Sequence, residues 1–198
     1  MFDCYSFKTC QWYNFAPRNE KRRFATLTTL QNYTNVLIGG EKDSRNIYNS
    51  VMSVDITTKT WNQVTQLDKP VSRHCTVQAK EDTIYIVGGL TESSPFSDET
   101  ITFNILTKTS STMRVKLNRG RQLHSCAIMN GNHIIVVGGR DARGALKSVE
   151  TLDNRTSKKW ITRENLELPF GISYAQIVVT NPSGNQNSFL AVKRKTLL

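Results

Sequence analysis

The sequence predicts an all-β fold in which one unit of four short antiparallel strands recurs about every 50 residues. Three observations predict it. Diglycines stand at Gly39-Gly40, Gly88-Gly89 and Gly138-Gly139, at intervals of 49 and 50 residues. Tryptophans stand at Trp12, Trp61 and Trp160, one repeat and then two repeats apart, with Ser110 where the pattern calls for another. Each diglycine closes a short run of apolar, mostly β-branched residues, and no segment sustains a 3.6-residue period over three turns.

The elements follow in chain order. The strands of a unit are called a, b, c and d from the centre outward. Residues 1–15 supply only c and d, with Ser6 as a turn residue ahead of Trp12. Residues 16–65 form a whole unit: the diglycine ends strand b, Tyr48-Asn49-Ser50-Val51 opens c, Asp55 turns the chain, and Trp61 lies on d. Residues 66–115 repeat this. His74 to Ala79 is strand a, Lys80-Glu81-Asp82 a polar turn, Ile84 to Val87 strand b, Thr100 to Phe103 strand c, and Asn104 the turn. Residues 116–165 form the third unit, with Asp153 turning the chain before Trp160. Residues 166–198 supply only a and b, near Tyr174 to Thr180 and Phe189 to Val192. Small polar residues suit these turns because their side chains bond nearby backbone. Continuous apolar b strands imply burial on both faces, and glycines at their ends permit positive φ or close backbone approach.

Four-stranded units of this length describe the blades of a β-propeller. The apolar strand ending Gly-Gly, then Tyr48-Asn49-Ser50-Val51, Asp55 and Trp61, resembles the kelch family. The pattern recurs as Ser148-Val149, Asp153 and Trp160, and Arg121-Gln122-Leu123-His124 opens an innermost strand in the same style. The resemblance covers essentially the whole chain and implies a kelch-type β-propeller with four blades' worth of sheets. The departures are Ser110 for tryptophan, Asp98-Glu99-Thr100 for the Asn-Ser-Val stretch, and Arg73 directly beside His74. Two closures are compatible with the frame: an open arc of a larger propeller, the preferred expectation because such proteins usually close with six blades, or a four-bladed ring closed by a composite blade.

Composition narrows the function. The 198 residues are 38% hydrophobic and 21% charged, so the chain is globular, and its longest aliphatic run, Ile134 to Val137, is far short of a membrane span. Met1 to Tyr5 carries no export signal, which favours a cytoplasmic protein. Cys4, Cys10, Cys75 and Cys126 are then expected reduced, with Cys75 and Cys126 filling small core sites. A Cys4–Cys10 bridge is the alternative in an oxidising compartment. The sequons at Asn32 and Asn154 are read as chance matches.

No catalytic constellation, cofactor or metal is expected. His74 and His124 are repeat equivalents lining the channel, without a defensible third ligand, so structural hydrogen bonding is their expected role. Gly39, Gly40, Gly88, Gly89, Gly138, Gly139, Trp12, Trp61, Trp160, Asp55 and Asp153 read as structural repeat residues, the tryptophans packing between sheets. The net charge of +10 hints at acidic partners. Arg45, Arg73, Arg121, Arg140 and Arg143 fall in loops of one face, where arginine forks suit carboxylates. The expectation is a non-enzymatic protein-interaction module that binds a protein partner with an acidic motif. The resemblance extends this to the substrate-recognition part of a ubiquitin-ligase adaptor, with actin or cytoskeletal binding as the other family role. A galactose-oxidase-like or sugar-isomerase propeller is the enzyme alternative, and nucleic-acid binding rests on charge alone.

Overall fold

A computed structural model describes residues 3–6, 8–14, 22–30, 35–43, 45–55, 58–80, 82–156, 158–180 and 188–193. The strands β1 (Asp3–Ser6) and β2 (Gln11–Asn14) form an antiparallel pair. The first complete blade contains β3 (Thr26–Thr29), β4 (Asn35–Ile38), β7 (Ser50–Asp55) and β8 (Thr60–Gln66), in that order. A side hairpin of β5 (Glu41–Asp43) and β6 (Asn46–Ile47) projects between β4 and β7. The second blade is β9 (Cys75–Lys80), β10 (Thr83–Val87), β11 (Thr100–Asn104) and β12 (Thr109–Thr112). The third blade contains β13 (Ser125–Met129) and β14 (His133–Val137). Its side hairpin is β15 (Arg140–Asp141) and β16 (Gly144–Ala145), and β17 (Val149–Asp153) and β18 (Ile161–Thr162) complete the sheet. A final pair, β19 (Ala175–Thr180) and β20 (Ser188–Lys193), follows a 3-10 turn at Glu164–Leu166. No described helix is long and apolar enough to cross a membrane.

The blades pack face to face around their inner strands, β3 against β9, β9 against β13, and β13 against β19. This makes the molecule a β-propeller and explains the unbroken apolar runs. Alternate residues of a strand point to opposite faces, and here both faces are covered. Ile84 and Ile86 of β10 join Val36, Ile38 and Val51 of the first blade, whereas Tyr85 and Val87 join Ile134, Val136 and Leu152 of the third. Ile135 and Val137 face the other way, onto Ile172 and Ala175. Each such fully buried aliphatic side chain is worth roughly 1.5–3 kcal/mol.

The diglycines tie one blade to the next. The second amide of each donates to the segment entering the following blade: Gly40 to the Val71 carbonyl at 2.8 Å, Gly89 to Arg121 at 2.8 Å, Gly139 to Ile172 at 2.7 Å. A Cβ on the first glycine would lie 2.2 Å from that same oxygen at Gly39 and 2.8 Å from it at Gly88, both residues having positive φ. Only glycine permits the approach. The polar turns behave as their residue types predict: Asp55 accepts from the Thr58 amide, Asn104 from the Thr107 amide and Asp153 from the Arg155 amide.

Two readings of the sequence change, those of Cys75 with Cys126 and of Trp12. Cys75 and Cys126 are joined as a disulfide, with Cα atoms 5.9 Å apart, because the neighbouring inner strands β9 and β13 bring them together. Cys10 is exposed, and the Cys4 side chain lies outside the described residues. Trp160 is 2% exposed and packs against the second blade, its indole N–H reaching Thr100 Oγ1 at 3.2 Å. Trp61 is half-buried, but Trp12 on β2 is 71% exposed and so does not pack between sheets as the repeat pattern predicts. Asn154 is buried and donates to the Ala79 carbonyl, so this sequon is closed to glycosylation as folded. Asn32 lies outside the described residues.

Candidate functional site

The residues that enter the inner strands converge at one end of the propeller. Phe24, Arg73, Leu123 and Tyr174 occupy equivalent positions, each with φ between +54° and +58°. A backbone chain links them: the Arg73 amide donates to Phe24 at 3.0 Å, Leu123 to Arg73 at 2.9 Å, and Tyr174 to Leu123 at 2.9 Å. Their side chains surround the opening of a cavity of about 410 Å³, with His74 and His124 also in its wall. The Phe24 and Tyr174 rings approach to 6.4 Å between centroids.

The two histidines hold blades together. His74 Nε2 lies 2.9 Å from Thr26 Oγ1 on the preceding blade, and His124 Nε2 donates to the Val87 carbonyl at 3.0 Å. Burial pushes both imidazoles down to about 3, so both are neutral at physiological pH. Among the described residues no three histidine, cysteine or carboxylate groups cluster as a metal site would require.

The five arginines singled out from the sequence divide by environment. Arg121 is fully buried and is not a contact residue. Its guanidinium donates to the Gly138 and Ser148 carbonyls at 2.9 and 3.1 Å, to Ser148 Oγ at 3.0 Å, and to the buried Glu150 carboxylate. Arg22 repeats the clamp two blades earlier, donating to the Gly39 carbonyl at 2.9 Å and Ser50 Oγ at 2.8 Å. Arg73, despite sitting beside a histidine, is the equivalent of Leu123 and so faces the opening. Its guanidinium is held by Glu41 Oε1 at 2.9 Å and Gln122 Oε1 at 3.0 Å, and lies 5.2 Å from the Phe24 ring centroid. Glu41 is itself fully buried and also accepts from Arg23 and from the Ser72 hydroxyl.

Arg45, Arg140 and Arg143 are exposed and lie in the side hairpins β5–β6 and β15–β16. Among the described residues none of them makes an ion pair, nor do the exposed Lys42 and Lys147 of the same two loops. The nearby acids are already engaged. Asp43 accepts from the Arg45 and Asn46 amides, which holds its carboxyl below the usual range, and Asp141 is paired with Arg119. The first residue of each hairpin is tied to the segment beside the cavity wall. Glu41 pairs through backbone with Arg23, next to Phe24, and Arg140 pairs with Gln122, next to Leu123.

Face-to-face blades, diglycine links and a loop-rimmed opening define a β-propeller. A family model for the KLHDC2/KLHL20/DRC7 Kelch-repeats domain matches residues 2–182, and the chain belongs to the Kelch-repeat family. Domains of this family are in general non-enzymatic modules that bind proteins. No curated protein matches the chain significantly.

Proposed function

We propose that the chain is a non-enzymatic protein-interaction module whose partner docks on the hairpin face with an acidic segment. The observation that carries this reading is the set of exposed cations at Lys42, Arg45, Arg140, Arg143 and Lys147, none of which makes an ion pair among the described residues. Arginine forks left free in this way suit carboxylates better than solvent-exposed, already paired charges do. Arg73 and Arg121 serve the face from beneath, by fixing the segments on which the hairpins stand. In a ligase adaptor the same face would select the substrate. Cytoplasmic placement belongs to this reading.

The test is affinity capture followed by quantification of each retained protein. Arg45→Glu, Arg140→Glu and Arg143→Glu together should abolish retention of the partner. Lys158→Glu with Lys159→Glu, in a turn on the opposite face, should leave it unchanged. Equal retention by the two variants would sink the assignment of the hairpin face.

A further inference from the structure

The cavity between the hairpins differs in character from its rim. Phe24, Leu123 and Tyr174 wall it with two aromatic rings and an aliphatic side chain. The two imidazoles in its wall are uncharged, and the Arg73 charge is matched at once by Glu41. Glu41 is shared with Arg23, whose side chain is 56% exposed, so surplus positive charge lies on the rim and not in the cavity. Tyr174 is 51% exposed and Phe170, four residues earlier, 54% exposed, so apolar surface is open on the loop face. The third-blade hairpin leans on this apolar segment: a Cβ on Gly171 would lie 2.4 Å from the Ala145 carbonyl oxygen. Among the described residues, cations without an ion pair therefore stand on hairpins at two sides of an opening whose wall sets the Phe24 and Tyr174 rings and Leu123 beside the paired Arg73, two neutral imidazoles and Gln176.

We infer that the occupant of this opening is a bulky apolar side chain, aromatic by preference, carried in a partner segment with acidic residues on both sides of it. The apolar side chain packs on the Phe24 and Tyr174 rings at the mouth of the cavity while the flanking carboxylates meet Arg45 and Lys42 on one hairpin and Arg140 and Arg143 on the other. The inference rests on the interaction reading above and adds the central anchor. A volume of about 410 Å³ accommodates an aromatic side chain with room for solvent. Burial of the ring supplies affinity, and the charge pattern supplies orientation and rate of encounter.

The experiment uses the full chain and three fluorescein-labelled peptides, read by fluorescence anisotropy. The first is Gly-Asp-Glu-Asp-Phe-Glu-Asp-Glu-Gly, the second has Ala in place of Phe, and the third has Lys in place of every acidic residue. The first should bind at least about tenfold more tightly than the second, the ratio expected for burying one aromatic ring. The third should not bind. Phe24→Asn with Tyr174→Asn, chosen because asparagine tolerates positive φ, should bring the first two peptides to equal affinity. Arg140→Glu with Arg143→Glu should abolish binding of both. Equal binding of the Phe and Ala peptides by the unaltered protein would overturn the anchor while leaving the acidic-partner reading in place. Binding of the Lys peptide as tight as the first, or no binding of any peptide up to millimolar concentration, would overturn both.

Discussion

Replacing Arg121 separates a structural arginine from a contact arginine. The guanidinium is fully buried, and the Glu150 carboxylate it meets is 1% exposed. Arg121→Ala would leave that carboxylate with the Asn118 amide at 2.7 Å as its remaining donor among the described residues and would strip a donor from the Gly138 and Ser148 carbonyls. Removing one partner of a buried ion pair costs about 3–5 kcal/mol, a large part of the roughly 5–15 kcal/mol that holds a domain together. With a urea m-value of about 2 kcal/mol/M, the unfolding midpoint should fall by roughly 2 M. Trp160, buried between the second and third blades, gives the fluorescence signal for the titration. Arg140→Ala, on the exposed hairpin, should stay within about 0.5 kcal/mol of the parent. Arg121→Met with Glu150→Leu should recover much of the loss, because the pair is replaced by apolar bulk and no charge is stranded. An Arg121→Ala protein that unfolds with the parent yet loses its partner would refute the reasoning.

Other expectations follow from the same contacts. His74 and His124 bind no proton in the folded state until about pH 3 but bind one each near pH 6.5 when unfolded. Their contribution is complete above pH 6.5 and is lost as pH falls below it, by up to about 1.4 kcal/mol per pH unit for each histidine. Urea titrations between pH 7 and pH 5 should show the slope, and His74→Gln with His124→Gln should flatten it. Reducing the Cys75–Cys126 bond, or Cys75→Ser with Cys126→Ser, frees a closure spanning 51 residues and should cost up to about 4 kcal/mol, read as a lower Tm; an unchanged Tm would mean that the bond adds nothing. Gly89→Ala sets a Cβ 2.5 Å from the Ser72 carbonyl oxygen at φ +100° and should cost at least about 2 kcal/mol by the same titration.

The fold class was legible because its signals are periodic and local. Apolar runs ending in Gly-Gly need both faces buried and a close backbone crossing, and residues 84–89 and 134–139 provide both. The site was less legible because adjacency in sequence does not give the direction of a side chain. Arg73 and Arg121 each lie near a histidine, yet they stand two positions apart in the repeat, one at the opening and one inside the clamp. Glu41 follows a diglycine where Leu90 and Arg140 stand in the other blades, and nothing local signals its burial under three donors. Cys75 and Cys126 are one residue out of register with the repeat, so only the packing of β9 on β13 brings them together. The side hairpins fall in segments whose sequence signals only loops. Short strands with Lys, Arg and Asp lack the apolar alternation that marks longer ones.

The most direct test of the central claim is site-specific photocrosslinking with benzoylphenylalanine placed at Arg143 in the hairpin β15–β16, or at Lys158 on the opposite face. Both positions are exposed, so the probe itself should not disturb the fold. The account predicts that illumination in cell extract yields a discrete adduct from position 143, suppressed by excess unlabelled chain, and none from position 158. A partner captured from position 158 and not from position 143 would contradict it.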